Sequence, residues 1–131
     1  MVNSLRVVLD TNIWVSAFFW EGIEREIVRR CEEGVLKSIT SPDILDELRR
    51  VLAQKFEVPK DKISEYTRDI LLASEVVFPV GEVKVIKEDP PDNVILKTAY
   101  LGKADRIISG DKHLLNLKQF ENIAIKKAGV L

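Results

Sequence analysis

Cysteine and histidine each occur once in this chain, as Cys31 and His113. A lone cysteine excludes an internal disulfide and a thiolate zinc site. Cys31 lies in a helical pattern and reads as a small buried apolar residue. His113 has no second His or Cys near it, so the usual zinc constellations are absent, and it reads as an ordinary helix residue. No Gly-rich phosphate loop of either common kind is present, and no Gly-flanked nucleophilic serine. No window reaches the apolar length of a membrane span, and the N-terminus has no signal-peptide-like apolar stretch. A soluble, cytoplasmic protein is expected, with no membrane partner. Neither charge sign is in excess: 20 Lys+Arg stand against 21 Asp+Glu, for a net charge of −1. That balance does not advertise a nucleic-acid binder. It does not exclude one, because an acidic metal site would cancel basic residues elsewhere.

What is present suits one domain over residues 1–131, with no repeat, low-complexity tract or linker. Hydrophobic residues make up 46% and charged residues 31%, enough for a core and against disorder. Leu5 to Leu9 fit a strand buried on both faces. Thr11 and Asn12 are natural helix caps, and a short helix follows from Ile13 towards Gly22. Ile23 to Glu33 reads as a helix closed by Gly34, with Ile23, Ile27, Val28 and Cys31 as its apolar stripe. Val35 to Thr40 is a second strand. Ser41 and Pro42 open a helix that runs to about Lys55. Pro59 starts another, with Ile63, Tyr66, Ile70 and Leu71 at helical spacing. Val76 to Ile86, broken by Pro79 and Gly81, suggests a short strand and then a loop or edge strand. Asp89 to Asn93 is a stiff turn capping a helix that ends near Gly102, whose apolar residues include Val94, Ile95 and Leu101. Arg106 to Ser109 is a strand, a short helix follows through Leu117, and Ile123 to Ile125 is the last strand. Strands alternating with helices predict an α/β fold with a parallel sheet.

Asp10 falls where the first strand leaves the sheet, and Asp111 repeats that arrangement after Ser109. In open parallel sheets ligands gather at the carboxyl ends of the strands. A crossover helix runs antiparallel to its strands, so Asp92 at a helix start lies at the same edge. Glu47, in the second turn of its helix, is also near that edge. It borders the apolar arc of Ile44, Leu45, Leu48, Val51 and Leu52, and a carboxylate drawn inward needs a partner. Singly, Asp10, Asp92 and Asp111 are explained as helix caps and Glu47 as a solvated residue. Together they would repel and raise one another's pKa. A hard divalent cation, Mg²⁺ or Mn²⁺, resolves that repulsion and would serve phosphoryl chemistry. Asp105 precedes its strand, at the opposite edge, and reads as a turn residue; Asp89 reads as a rim residue.

The ordered pieces Val8-Leu9-Asp10-Thr11-Asn12, Leu45-Asp46-Glu47-Leu48, Asp92-Asn93 and Ile107-Ile108-Ser109-Gly110-Asp111 resemble the PIN domain, the nuclease fold of VapC-type toxins and RNA-processing nucleases. The resemblance implies a three-layer α/β/α sandwich with a central parallel sheet. It also implies a metal-dependent endoribonuclease that leaves a 5′-phosphate. Asp10, Glu47, Asp92 and Asp111 would bind Mg²⁺ or Mn²⁺, and Thr11, Asn12 and Ser109 would orient ligands or water. A homodimer and an antitoxin protein that occludes the acidic pocket are the implied partners, beside the RNA substrate.

Two other functions fit the same residues. One is a non-catalytic PIN-like module that binds RNA or protein. The other is a phosphatase using Asp10 as nucleophile, disfavoured because Asn12 stands where such sites carry a second acid. Arg49, Arg50, Lys103, Arg106 and Lys112 are candidates to offset the acids for RNA, but the sequence does not say which of them face the pocket, and most read as solvated surface charges. Trp14, Phe18, Phe19 and Trp20 are too many aromatics for one side of a short helix. Core packing and an exposed patch for a partner both remain open.

Overall fold

The computed structural model describes residues 4–79 and 90–130, with side chains in 90–93 outside what is described. Strand β1 spans Leu5–Leu9, β2 Leu36–Thr40, β3 Ser74–Val76, β4 Arg106–Ile108, β5 Gln119–Phe120 and β6 Ile123–Lys126. They form one sheet in the order β3-β2-β1-β4-β6-β5. Neighbours are parallel except β5 and β6, which pair antiparallel. That terminal hairpin is absent from the sequence reading, because two residues are too few to show an alternating pattern.

Val7, Val8 and Leu9 are each 0% exposed. Successive strand residues point to opposite faces, so helices must cover both sides of β1. The result is an α/β/α sandwich. Helix α1 spans Thr11–Phe19, α2 Ile23–Glu32, α3 Pro42–Arg50, α4 Lys60–Leu72, α5 Pro90–Leu101 and α6 Lys112–Leu117. Beyond Arg50, α3 continues through a π-helical turn, Val51–Lys55, so the helix reaches Lys55 as its apolar spacing predicts. Ser41 caps α3 by accepting from the Ile44 amide at 3.4 Å, with Pro42 in the first turn.

Several local expectations are corrected. Asp10, not Thr11 or Asn12, caps α1: its carboxylate accepts from the Thr11 amide, and Thr11 and Asn12 are already helical. Residues from Pro90 onward belong to α5 rather than to a turn; proline is tolerated in a first helical turn, where amides lack partners anyway. Ile23, Leu71 and Leu101 are exposed, so the apolar stripes are narrower than their spacing suggests. Thr67 takes the buried place in α4 by bonding back to the Ile63 carbonyl at 2.9 Å. Residues 80–89, which include Asp89 and most of the Val76 to Ile86 stretch, lie outside the described residues.

Gly102 ends α5 where the helix passes over β2. A Cβ there would run into the Ile39 side chain and stand 3.0 Å from the Thr98 carbonyl oxygen. Overpacking of this kind costs about 1–3 kcal/mol. Gly102→Ala is therefore expected to lower the urea midpoint with little change in slope.

Candidate active site

β1 and β4 are paired neighbours, and their carboxyl ends carry the central part of the site. The Asp10 amide donates to the Ile108 carbonyl at 2.9 Å, which ties the exit of β1 to the end of β4. One Asp10 carboxylate oxygen accepts from the Thr11 amide at 2.7 Å. The other accepts from the Ser109 hydroxyl at 2.6 Å and from Asn12 Nδ2 at 3.4 Å. Ser109 is fully buried, and its Oγ also accepts from the Asp111 amide at 2.9 Å. Asn12 Oδ1 accepts from the Gly110 amide at 3.2 Å. Asp111 caps α6, accepting from the His113 amide at 2.7 Å. A short lattice thus joins Asp10, Asn12, Ser109 and Asp111 across two strand ends.

Asp10 is only 8% exposed. Burial pushes its pKa above the ordinary carboxylate value of 3.8. The Ser109 hydroxyl and the Thr11 amide oppose that rise, while the negative charges of Glu47 and Asp111 add to it. Asp10, Glu47 and Asp111 line one cleft of about 400 Å³, together with Thr11 and Asn12. Glu47 is half-buried, as its place beside the apolar arc of α3 predicts. The structure therefore brings three of the four predicted acids to one cleft. Asp92 lies in the first turn of α5, and its side chain is outside the described residues.

The donor chemistry suits a hard divalent ion: every acidic group in the cleft offers carboxylate oxygen. Thr11 Oγ1, which is buried, has no hydrogen-bond partner among the described residues and belongs to the same cleft. Among the described residues, however, no three His, Cys, Asp or Glu side chains form a group that could hold an ion by themselves.

Other predicted residues fall elsewhere. Asp105 is at the entry of β4, where its carboxylate accepts from the Arg6 amide at 2.8 Å. Arg49 is paired with Asp46 at 2.9 Å. Arg49, Arg50, Lys103, Arg106 and Lys112 do not line the acidic cleft. The cation that does is Lys55, with Trp20 and Phe56. The signal for it was present: Glu47, Val51 and Lys55 stand four residues apart and share a helix face. Cys31 is buried and its thiol is pushed up to about 12 by burial, which leaves it inert. A second cleft, about 390 Å³, opens between α1, α2 and α4. It contains none of the four predicted acids, so the chemistry is assigned to the first.

Ser109→Ala is expected to destabilise the fold by about 1–3 kcal/mol, since it removes a charge-assisted bond and leaves the Asp111 amide without its acceptor. Urea unfolding measures this directly.

A mostly parallel sheet flanked by helices, with a buried acid at the exit of its central strand, puts the cleft where open α/β sheets bind their ligands. The PIN domain family model matches residues 6–113, and the chain belongs to that family. The solved VapBC2 assembly from Rickettsia felis, bound to a DNA fragment from their promoter, contains a chain of similar structure. The TM-score is 0.64 at 14% identity, covering 94% of this chain and 98% of that one. At that identity the likeness concerns the fold. A search of the curated proteins gives no match.

Proposed function

We propose that this protein is a metal-dependent endoribonuclease of the VapC-like type, cleaving RNA phosphodiester bonds at the cleft of Asp10, Glu47, Asp92 and Asp111. The observation that carries the reading is Asp10: a buried carboxylate at a strand exit, gripped by Ser109 and Thr11, in one cleft with two further acids. Burying a carboxylate beside like charges is unfavourable unless a cation offsets them. Membership of the PIN family supports the same reading.

Asp10, Glu47, Asp92 and Asp111 would hold Mg²⁺ or Mn²⁺, which when bound neutralises the acids and polarises a phosphate. Ser109 fixes the Asp10 carboxylate in one orientation and spaces it from Asp111. Asn12 secures the Gly110 turn, and Thr11 offers its unpartnered hydroxyl to the cleft. Such supporting groups hold a ligand set in place. Lys55 supplies positive charge at the rim.

The Rickettsia felis neighbour is a VapBC2 assembly, which supports an antitoxin protein as a partner of this chain. Residues 1–131 would act as one domain, in the cytoplasm, as a homodimer. No helix among the described residues is long and apolar enough to cross a membrane.

The test is cleavage of labelled RNA with Mn²⁺, and its loss on chelation. The reading also expects Mn²⁺ to raise the melting temperature of the wild type. A second reading, a non-catalytic PIN-like module binding RNA or protein, is favoured by one observation: the described acids alone do not form a metal-holding group. Absence of both Mn²⁺-dependent cleavage and Mn²⁺ stabilisation would select it.

A further inference from the structure

The acidic cleft has an aromatic wall that metal binding does not use. Trp20 caps the C-terminal end of α1, and Phe56 follows the π-helical turn after α3. Both line the cleft, as does Lys55, and Trp20 also borders the second cleft. Trp20 is 62% exposed and Phe56 41%. Phe19 touches both, its ring centre 5.4 Å from that of Trp20 and 4.9 Å from that of Phe56. Large aromatics held by one another yet open to solvent are not core residues; Trp14, on the same helix, is 1% exposed and serves that purpose.

We propose that Trp20 and Phe56 form a stacking platform for one unpaired nucleobase of the RNA substrate, with Lys55 facing the adjoining phosphate. The proposal rests on the ribonuclease reading and names what the same cleft selects. Aromatic side chains stack bases only after these have left a duplex, and any base offers a π-face. The platform therefore selects for single-stranded RNA and discriminates weakly between bases. A volume of about 400 Å³ lies within the range of pockets that enclose small-molecule-sized groups. The charges agree: among the described residues Lys55 is the cation lining the cleft that Trp20 and Phe56 share with Asp10, Glu47 and Asp111. An antitoxin segment carrying cations would also be drawn to those acids, so equal oligonucleotide affinity with and without the aromatic rings would leave the wall to a protein.

The measurement is anisotropy of labelled oligouridylate and oligoadenylate with the full chain carrying Asp10→Asn, which prevents turnover and removes one negative charge from the cleft. The same strands annealed to their complements are measured beside them. In that background Trp20→Ala and Phe56→Ala are each expected to weaken single-strand binding on the order of ten- to a hundred-fold, with duplex binding unchanged. Trp20→Phe should restore most of the loss. Lys55→Ala should weaken binding and flatten its salt dependence. Melting curves identify any variant that fails to fold, and Trp20→Leu, apolar but without a π-face, then carries the test: it is expected to bind single strands as weakly as Trp20→Ala, and parent-like affinity would overturn the platform. Equal single-strand affinity in Trp20→Ala, Phe56→Ala and their parent overturns the platform. Failure of the ribonuclease reading looks different: wild type without Mn²⁺-dependent cleavage, while the aromatic variants still lose single-strand affinity.

Discussion

Asp10→Asn is expected to lower Mn²⁺-dependent RNA cleavage by at least about 100-fold. Removing groups that merely support a metal ligand already costs 10–100-fold, so removing a ligand's charge should cost no less. The substitution is nearly isosteric; it gives up the long bond from Asn12 Nδ2 at 3.4 Å, while the two shorter contacts can adapt. The amide oxygen can still accept from the Thr11 amide. The Ser109 hydroxyl, which donates to Asp10 in the wild type, can rotate to accept from the new amide nitrogen. What changes is charge, not shape. Wild-type activity in the variant would sink the assignment of Asp10.

The same substitution should stabilise the metal-free protein at neutral pH. Asp10 has a folded pKa raised above 3.8, chiefly by burial. Between the unfolded and folded values the native state binds more protons than the unfolded one, so stability falls as pH rises. This contribution is favourable below the unfolded value and is lost as pH climbs through the folded one. Asparagine carries no charge at any pH and escapes that loss. Melting temperatures of the metal-free wild type and variant should therefore converge in acid and separate towards neutrality, the variant above. With Mn²⁺ the order should reverse, because only the wild type gains from binding. Opposite signs for stability and activity would separate a site residue from a merely structural one.

The sheet was legible because its strands are apolar runs ended by polar residues, as at Leu9-Asp10 and Ile108-Ser109. Edge geometry was legible for the same reason: a parallel strand fixes where its carboxyl end must lie. The placement of Glu47 followed from helical spacing alone, and it is half-buried. Less visible was which residue caps α1. Asp, Thr and Asn all cap well, and only the structure, where the Asp10 carboxylate accepts from the Thr11 amide and the Asp10 amide donates to Ile108, shows that the cap directly follows the strand. Which cation faces the cleft was not legible, for another reason. Arg49 and Lys55 lie on different faces of one helix, and composition near an acid does not reveal a face. The aromatic run divided between both possibilities: Trp14 is core, and Trp20 is open to the cleft.

Trp14→Ala is expected to be the most damaging single change to stability considered for this chain. Trp14 is 1% exposed on α1 and meets Tyr66 of α4 edge-on, ring centres 6.4 Å apart. Truncating a buried tryptophan costs about 3–5 kcal/mol, a large share of the 5–15 kcal/mol that holds a typical domain. The Tyr66 hydroxyl donates to the Trp14 backbone carbonyl at 2.6 Å; that bond does not depend on the side chain, so the loss should reflect packing. Trp14→Phe should be much milder. The indole Nε1 is buried with no hydrogen-bond partner among the described residues, and an unpaired buried donor costs roughly 1–3 kcal/mol. Phenylalanine removes that cost while keeping an aromatic ring against Tyr66. Urea unfolding should rank wild type and Trp14→Phe close together, with Trp14→Ala far below. Activity should follow that ranking, since Trp14 anchors the helix whose first turn supports Asp10. A Trp14→Ala protein as stable as wild type would mean that α1 is held by other contacts.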